Sequence, residues 1–221
     1  MQRIFDLIFS GLALLILSPL LIPLVIILRV TGEGEIFFPQ IRIGQGSKSF
    51  KLYKFATMLK DSPNIGNGTV TLHKDPRILP MGHFLRKTKI NELPQLFNIF
   101  LGDMSIIGPR PQAKRSFDAF SSSAQESIIK VKPGLSGAGS IVFRNEEGMM
   151  HANKNPNEFY DKIVMPYKGD LEKWYVVNKG IKTYFLLIAL TVFVVLFSKS
   201  GLIWKIFNDM PKPPKELEPW I

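Results

Sequence analysis

From residue 7 to residue 28 the chain runs through 22 residues without a charged side chain, and any fold must find a place for that run. Roughly 20 consecutive apolar residues are enough to cross the hydrocarbon core of a bilayer, so the segment is of membrane length. A secretory signal fits less well, because the apolar run is too long and no small-residue cleavage pattern follows it. Its interior carries Ser18-Pro19 and Pro23. Proline removes a backbone donor and collides with the preceding turn, so a kink is expected there. Two topologies fit: a kinked span, or a helix that dips into one leaflet and returns. Arg3 precedes the segment and Arg29, Arg42, Lys48, Lys51 and Lys54 follow it. Neither flank is poor in positive charge, which is a hint of return rather than crossing.

The remaining composition narrows the partners. A formal net charge of +10 and a pI near 9.7 favour anionic company: nucleic acid, phosphorylated small molecules or the face of a bilayer. The mean hydropathy of +0.11 is high for so basic a chain, because the apolar residues gather at its two ends. The absence of cysteine excludes disulfides, thiolate metal sites and cysteine nucleophiles. No dinucleotide, P-loop, zinc-protease or nucleophile-elbow motif occurs. His73, His83 and His151 lack metal-ligand spacing, and no nucleic-acid module is present, so nucleic acid is not an expected partner. A length of 221 residues suits one domain with an appendage.

After TGEGE at 31–35 the chain reads as a soluble domain. IFFPQIRIG and KSFKLYKFATML alternate at period two around GQGS, which predicts a short hairpin. A loop rich in Pro, Gly and Asn fills 61–80. Helices are expected over 91–101, ending at Gly102, over 112–130, weakened by SSS at 121–123, and within 157–178. KPGLSGAGS reads as a turn and IVFRN as a strand. The apolar block 183–197 is 15 residues long, short for a span, and fits a buried, interfacial or tilted helix. The tail MPKPPKELEPWI reads as extended.

The chemistry concentrates in KINELPQLFNIFLGDMSIIGPRP, residues 89–111. Asn91 is a good N-cap and Pro94 falls in the first turn, so NELP reads as a helix start whose free amides attract phosphate. Glu92 in that turn is able to coordinate magnesium, which takes one or two carboxylates together with phosphate oxygens. Taken alone it reads first as an acid favoured by the helix dipole on an exposed turn. In GPRP two prolines restrict the backbone on either side of Arg110 and hold its guanidinium, a fork suited to diphosphate.

Read together, LRKTKINELPQLFNIFLGDMSIIGPRP, the preceding FPQIRIGQGSKSFKLYKFATM and the following VKPGLSGAGS resemble the bacterial sugar transferases, the monotopic polyprenyl-phosphate phosphoglycosyl transferases. The resemblance covers roughly residues 1–146 and more loosely reaches 178. It implies a re-entrant helix kinked at Ser18-Pro19 in the inner leaflet of the bacterial cytoplasmic membrane. It implies transfer of a sugar 1-phosphate from a UDP-sugar to polyprenyl phosphate, such as undecaprenyl phosphate, with Mg2+ as cofactor and UMP as the product released. By the same resemblance Glu92 is the metal-binding acid, and Arg110 with Pro109 and Pro111 is the element placed at the nucleotide and phosphates. Lys54 and Thr57 match the Lys-Phe-Arg-Thr-Met element, and Asp103 the Gly-Asp-Met-Ser turn.

Two positions depart from the family. KFATM places Ala56 where the family has arginine, leaving Arg77, Arg86 and Lys89 as nearby candidates for that charge; Arg144 joins them in the expected substrate-binding set. Asn91 stands where the family has the aspartate that takes up the sugar phosphate covalently. Another carboxylate, direct attack by the lipid phosphate, an inactive relative or a deliberately disabled variant would each account for it. The expectation is a membrane-anchored α/β protein, mostly helical: residues 1–30 in the membrane, 31–178 catalytic, and 179–221 an apolar helix with a proline-rich tail. The bilayer, a second copy of the chain and later glycosyltransferases are the expected further partners, and sugar specificity is expected in 61–80 and 145–170. The alternative is a non-catalytic membrane scaffold that binds nucleotide sugar or polyprenyl phosphate.

Overall fold

The uncharged run folds as one helix, α1 (Gln2–Val30), which continues through Pro19 and Pro23. At 1.5 Å per residue its 29 residues extend about 43 Å. Ser18 Oγ bonds back to the Leu15 carbonyl at 2.7 Å, so this hydroxyl is satisfied within the helix itself. Leu12, Leu15, Ile16, Ile22 and Ile26 all stand exposed. Among the described residues α1 is the one helix long and apolar enough to cross a membrane. This computed structural model describes residues 1–65, 75–146, 149, 155–197 and 201–220. His73 and His151, with residues 66–74, 147–148 and 150–154 of the two stretches expected to read the sugar, lie outside them.

The chain forms two compact units that interleave along the sequence. One comprises Leu7–Ile41 and Lys51–Gly102. In it Leu21, Leu24 and Leu28, one stripe of α1 at helical spacing, pack with Phe55 and Leu85. Leu85 lies on α2 (Pro80–Lys87), which opens with proline at its start and ends on Arg86 and Lys87, as the helix dipole favours. Gly82 allows α2 to touch the backbone at Thr57, since a Cβ there would sit 2.1 Å from the Thr57 carbonyl oxygen. Helix α3 (Gln95–Leu101) closes on Gly102 at φ 105°, the left-handed C-cap that glycine adopts without steric cost.

The other unit comprises Met1–Asp6, Arg42–Phe50 and Asp103–Ile221. Strands β1 (Gln40–Ile43) and β2 (Ser49–Leu52) form the expected hairpin, with Gly46 and Ser47 at positive φ in its turn. Strand β3 (Ser105–Ile107) pairs in parallel with β4 (Gly134–Ser136), Ser105 opposite Gly134 and Ile107 opposite Ser136. The region expected as one helix over 112–130 is two, α4 (Lys114–Asp118) and α5 (Ser122–Ile128), because the Ser121 hydroxyl caps a new start at Ala124 N. The strand expected at IVFRN is replaced by α6 (Ala138–Val142), whose Ile141 and Val142 are buried. Core packing has overridden β-branched propensity there.

Helices α7 (Pro156–Phe159) and α8 (Met165–Asn178), joined by a π turn, fill the expected third helical region. Helix α9 (Ile181–Phe197) buries Tyr184, Leu187, Leu190 and Val194 and leaves Val192, Val195 and Leu196 exposed. After α10 (Leu202–Ile206) the tail lies on the core rather than running free. Met210 and Leu217 are buried, Trp174 donates to Asp209, and Tyr167 and Trp204 both donate to the Pro211 carbonyl. At the other end of the chain Asp6, 2% exposed, accepts from Ser105 Oγ, the Ile106 amide and the Tyr184 hydroxyl.

Candidate functional site

The candidate residues divide between the two units. Lys54, Thr57, Arg77, Arg86, Lys89, Asn91 and Glu92 belong to one, and Asp103, Pro109, Arg110, Pro111 and Arg144 to the other.

In the first, the chain from 51 to 57 is fastened to the segment leading into α3. The buried Asn98 side chain accepts from Tyr53 N at 3.0 Å and donates to the Lys51 carbonyl at 2.7 Å, while Phe55 N donates to the Asn91 carbonyl. This fixes Lys54 beside Glu92: Nζ donates to Oε1 at 2.8 Å, with both side chains 18% exposed. A partly dehydrated ion pair of this kind keeps its charges within reach of a ligand. The helix start expected at Asn91 is not formed. The chain enters through Lys89 at φ 60° and makes a 3-10 turn over Ile90–Glu92, and α3 proper begins at Gln95. Asn91 is therefore interior to the turn and caps nothing; it is 8% exposed and its Oδ1 has no hydrogen-bond partner. One helical turn on, Gln95 Nε2 is buried and equally unpartnered.

The remaining cations differ in freedom. Arg77, 4% exposed, closes on Asp75 through Nε and Nη2 and donates from Nη1 to the carbonyls of Ser62 and Ile65, so it clamps the fold from inside. Arg86 is half-buried with Nη1 on Met58 Sδ, Lys89 is exposed, and Thr57 is buried.

In the second unit the 109–111 turn follows β3 and is built against the turn preceding α6. Gly108 N donates to the Ser136 carbonyl and Gly134 N to the Pro109 carbonyl. The backbones meet so closely that a Cβ on Gly108, Gly134 or Gly137 would fall 2.5, 2.1 or 2.2 Å from a backbone atom. Gly134 and Gly137 are what PGLSG contributes, and Gly108 opens GPRP. Arg110 lies beside a crevice lined by Ile43, Phe117, Ile128 and Val131, with Gln112 next to it. Its backbone N–H donates to Glu172 Oε1 at 3.4 Å. Glu172 is a residue that motif reading missed. Its signal was a charge on a buried stripe, since Lys168, Leu171, Glu172 and Tyr175 share the core face of α8. Asp103 is exposed in the turn before β3, and Arg144, also exposed, donates to the Val195 carbonyl.

The oxygen donors suit a hard cation. Among the described residues no three acidic or histidine side chains gather, so a full protein cage is absent. Glu92, 18% exposed, is one carboxylate of the sparse kind that magnesium uses when phosphate completes its shell.

The family model described as bacterial sugar transferase matches residues 1–198. The chain is 35% identical over 159 residues to the exopolysaccharide production protein ExoY of Sinorhizobium fredii, covering 66% of this chain and 70% of that one. It is 35% identical over 144 residues to a UDP-glucose:undecaprenyl-phosphate glucose-1-phosphate transferase of Klebsiella pneumoniae, 63% of this chain but 30% of that protein. To the UDP-N-acetylgalactosamine-undecaprenyl-phosphate N-acetylgalactosaminephosphotransferase of Aeromonas hydrophila it is 34% identical over 143 residues, 64% and 34% of the two lengths.

Proposed function

The chain belongs to the bacterial sugar transferase family, and on that premise we propose that it transfers a sugar 1-phosphate from a UDP-sugar to undecaprenyl or a related polyprenyl phosphate, releasing UMP. The observation that carries the reading is the Lys54–Glu92 pair, held by Asn98. Transfer between phosphates asks for charge neutralisation and alignment more than for covalent chemistry. Glu92 would hold magnesium. When bound, the ion supplies charge to the pyrophosphate as the bridging oxygen departs.

Lys54 would offer its ammonium to a phosphate oxygen. In the other unit Arg110, set between two prolines, carries a fork of the kind that suits phosphate. Asn91 has an amide where a nucleophile is expected, which supports direct displacement. A phosphate oxygen of the lipid attacks the sugar-bearing phosphorus, one P–O bond forms, and the bond to UMP breaks. The product is a polyprenyl diphosphosugar, the starting unit of a surface glycan.

The membrane side of the reading rests on α1. Its amino end is tied through Asp6 to Ser105 and Ile106, and its other end packs on Phe55 and Leu85. Arg3 before the apolar run and Arg29, Arg42 and Lys48 after it leave neither flank poor in positive charge, which supports a helix that dips into the inner leaflet and returns, with the catalytic residues facing the cytoplasm.

The test is UMP release by the full chain with polyprenyl phosphate, magnesium and a panel of UDP-sugars. Turnover with at least one sugar is expected, and Glu92→Gln should lower it on the order of 100-fold. Binding without turnover across the whole panel would reject the enzyme. Intersecting two-substrate kinetics are expected for direct displacement, whereas parallel lines would require a protein nucleophile.

A further inference from the structure

Three carboxamides lie along one buried face of the segment that carries Glu92. The backbone stays helical from the 3-10 turn at Ile90, through Leu93 and Pro94, into α3. Asn91, Gln95 and Asn98, spaced i, i+4 and i+7, therefore fall on the same side, and they are 8%, 1% and 0% exposed. A buried helix face is ordinarily apolar. Asn98 is accounted for, because its amide bonds to Tyr53 N and to the Lys51 carbonyl. The other two are not. Asn91 Oδ1 and Gln95 Nε2 are buried without a hydrogen-bond partner, and one is an acceptor while the other is a donor. Unmet polar atoms in a native interior are costly, and proteins keep them chiefly where function requires it.

With its oxygen turned into the protein, the Asn91 carboxamide directs Nδ2 away from that interior, on the residue next to Glu92. We propose that Asn91 donates from Nδ2 to a non-bridging phosphate oxygen during transfer, and that Gln95 is a positioning residue whose Nε2 closes onto Asn91 Oδ1 to hold the amide in that orientation. The inference rests on the enzyme reading given above and on its direct displacement. In that step negative charge is spread over the oxygens of the transferred phosphoryl group, and an N–H fixed toward one of them stabilises the transition state. A carboxylate in the same place would instead add a second negative charge beside Glu92. Asn91 itself forms and breaks no covalent bond. The separation of Nε2 from Oδ1 in the free protein is of the kind that closes when substrate is seated. The amide at position 91 is thereby a working group of the site.

The experiment measures kcat and KM for the UDP-sugar separately, by UMP release with the full chain. Asn91→Ala and Asn91→Asp should each lower kcat about 100-fold while KM changes by less than about threefold, and Asn91→Asp should keep intersecting two-substrate lines. An Asn91→Asp variant that gains kcat, gives parallel lines or carries a trapped sugar-phosphate adduct overturns the proposal, because a nucleophile then serves better than the amide. Gln95→Met keeps the length of the side chain and removes the orphan donor. Its kcat should fall about tenfold through loss of alignment, while its melting temperature stays level or rises, since an unmet buried polar group has given way to an apolar one. A merely structural Gln95 would show the reverse, a lower melting temperature with kcat intact, and that result rejects the positioning role. If Gln95→Met does not fold, Gln95→Leu is read in the same way. The wild type separates the two levels. Without turnover on any UDP-sugar the enzyme reading falls and takes this proposal with it, whereas wild-type turnover with an unaltered kcat in Asn91→Ala rejects only the role given to Asn91.

Discussion

Glu92 and Glu172 are the same side chain in opposite settings. Glu92 is partly exposed and faces an ammonium, so it is able to exchange one cation for another. Glu172 is sealed in, and burial raises it from an ordinary 4.5 to about 7. Folding then favours its protonated form. As pH rises from about 4.5 through about 7, the unfolded chain ionises first and the folded state loses stability, by up to about 3 kcal/mol once both forms are ionised. The expected outcome is that Glu172→Gln melts higher than the wild type at pH 8 and that the gap closes toward pH 4.5; thermal denaturation across that range checks it. Glu92 was legible in the sequence because its motif is long. Glu172 was not, because a single acid in GDLEKWYVVN announces itself only when the buried stripe of α8 is known. Asn91 was read as a cap on residue type alone, but the left-handed entry at Lys89 moves the helix start past it.

At the level of elements, the contact between GPRP and PGLSG is made by backbone. Gly134→Ala would push a Cβ to 2.1 Å from Gly108 N, so one of the two turns must move. A loss of roughly 1–3 kcal/mol or more is expected in chemical denaturation, together with a raised KM for the UDP-sugar because Arg110 moves with its turn. The GQGS hairpin and the Gly102 stop rest on local backbone chemistry, and both form as expected. IVFRN and the single helix over 112–130 depended on propensity, and there burial and the Ser121 cap decided otherwise. The proline-rich tail had the composition of a free segment, yet Leu217 and Met210 anchor it.

For the molecule as a whole, the strongest sequence signal was the apolar run, and its length and helical form were legible. Its attachment was not, because the partners of Asp6 lie about a hundred or more residues away in sequence. The absence of cysteine makes topology easy to test with single reporters at Ile4→Cys and Thr31→Cys, both on exposed positions. Both should react with an impermeant maleimide in inside-out vesicles and neither in intact spheroplasts. Labelling from opposite faces would turn α1 into a span and remove the argument for return.

The bonds made by Asp6 also bear on biogenesis. Its carboxylate leaves the ribosome long before Ser105 and Tyr184 are translated, separated from them by 99 and 178 positions. On the membrane reading proposed above, the greasy helix enters lipid with an unanswered acid near its tip, and is secured only when nearly all of the polypeptide has emerged. Nascent chains stalled before residue 184 should accordingly remain loosely docked and easily extracted, while completed ones resist.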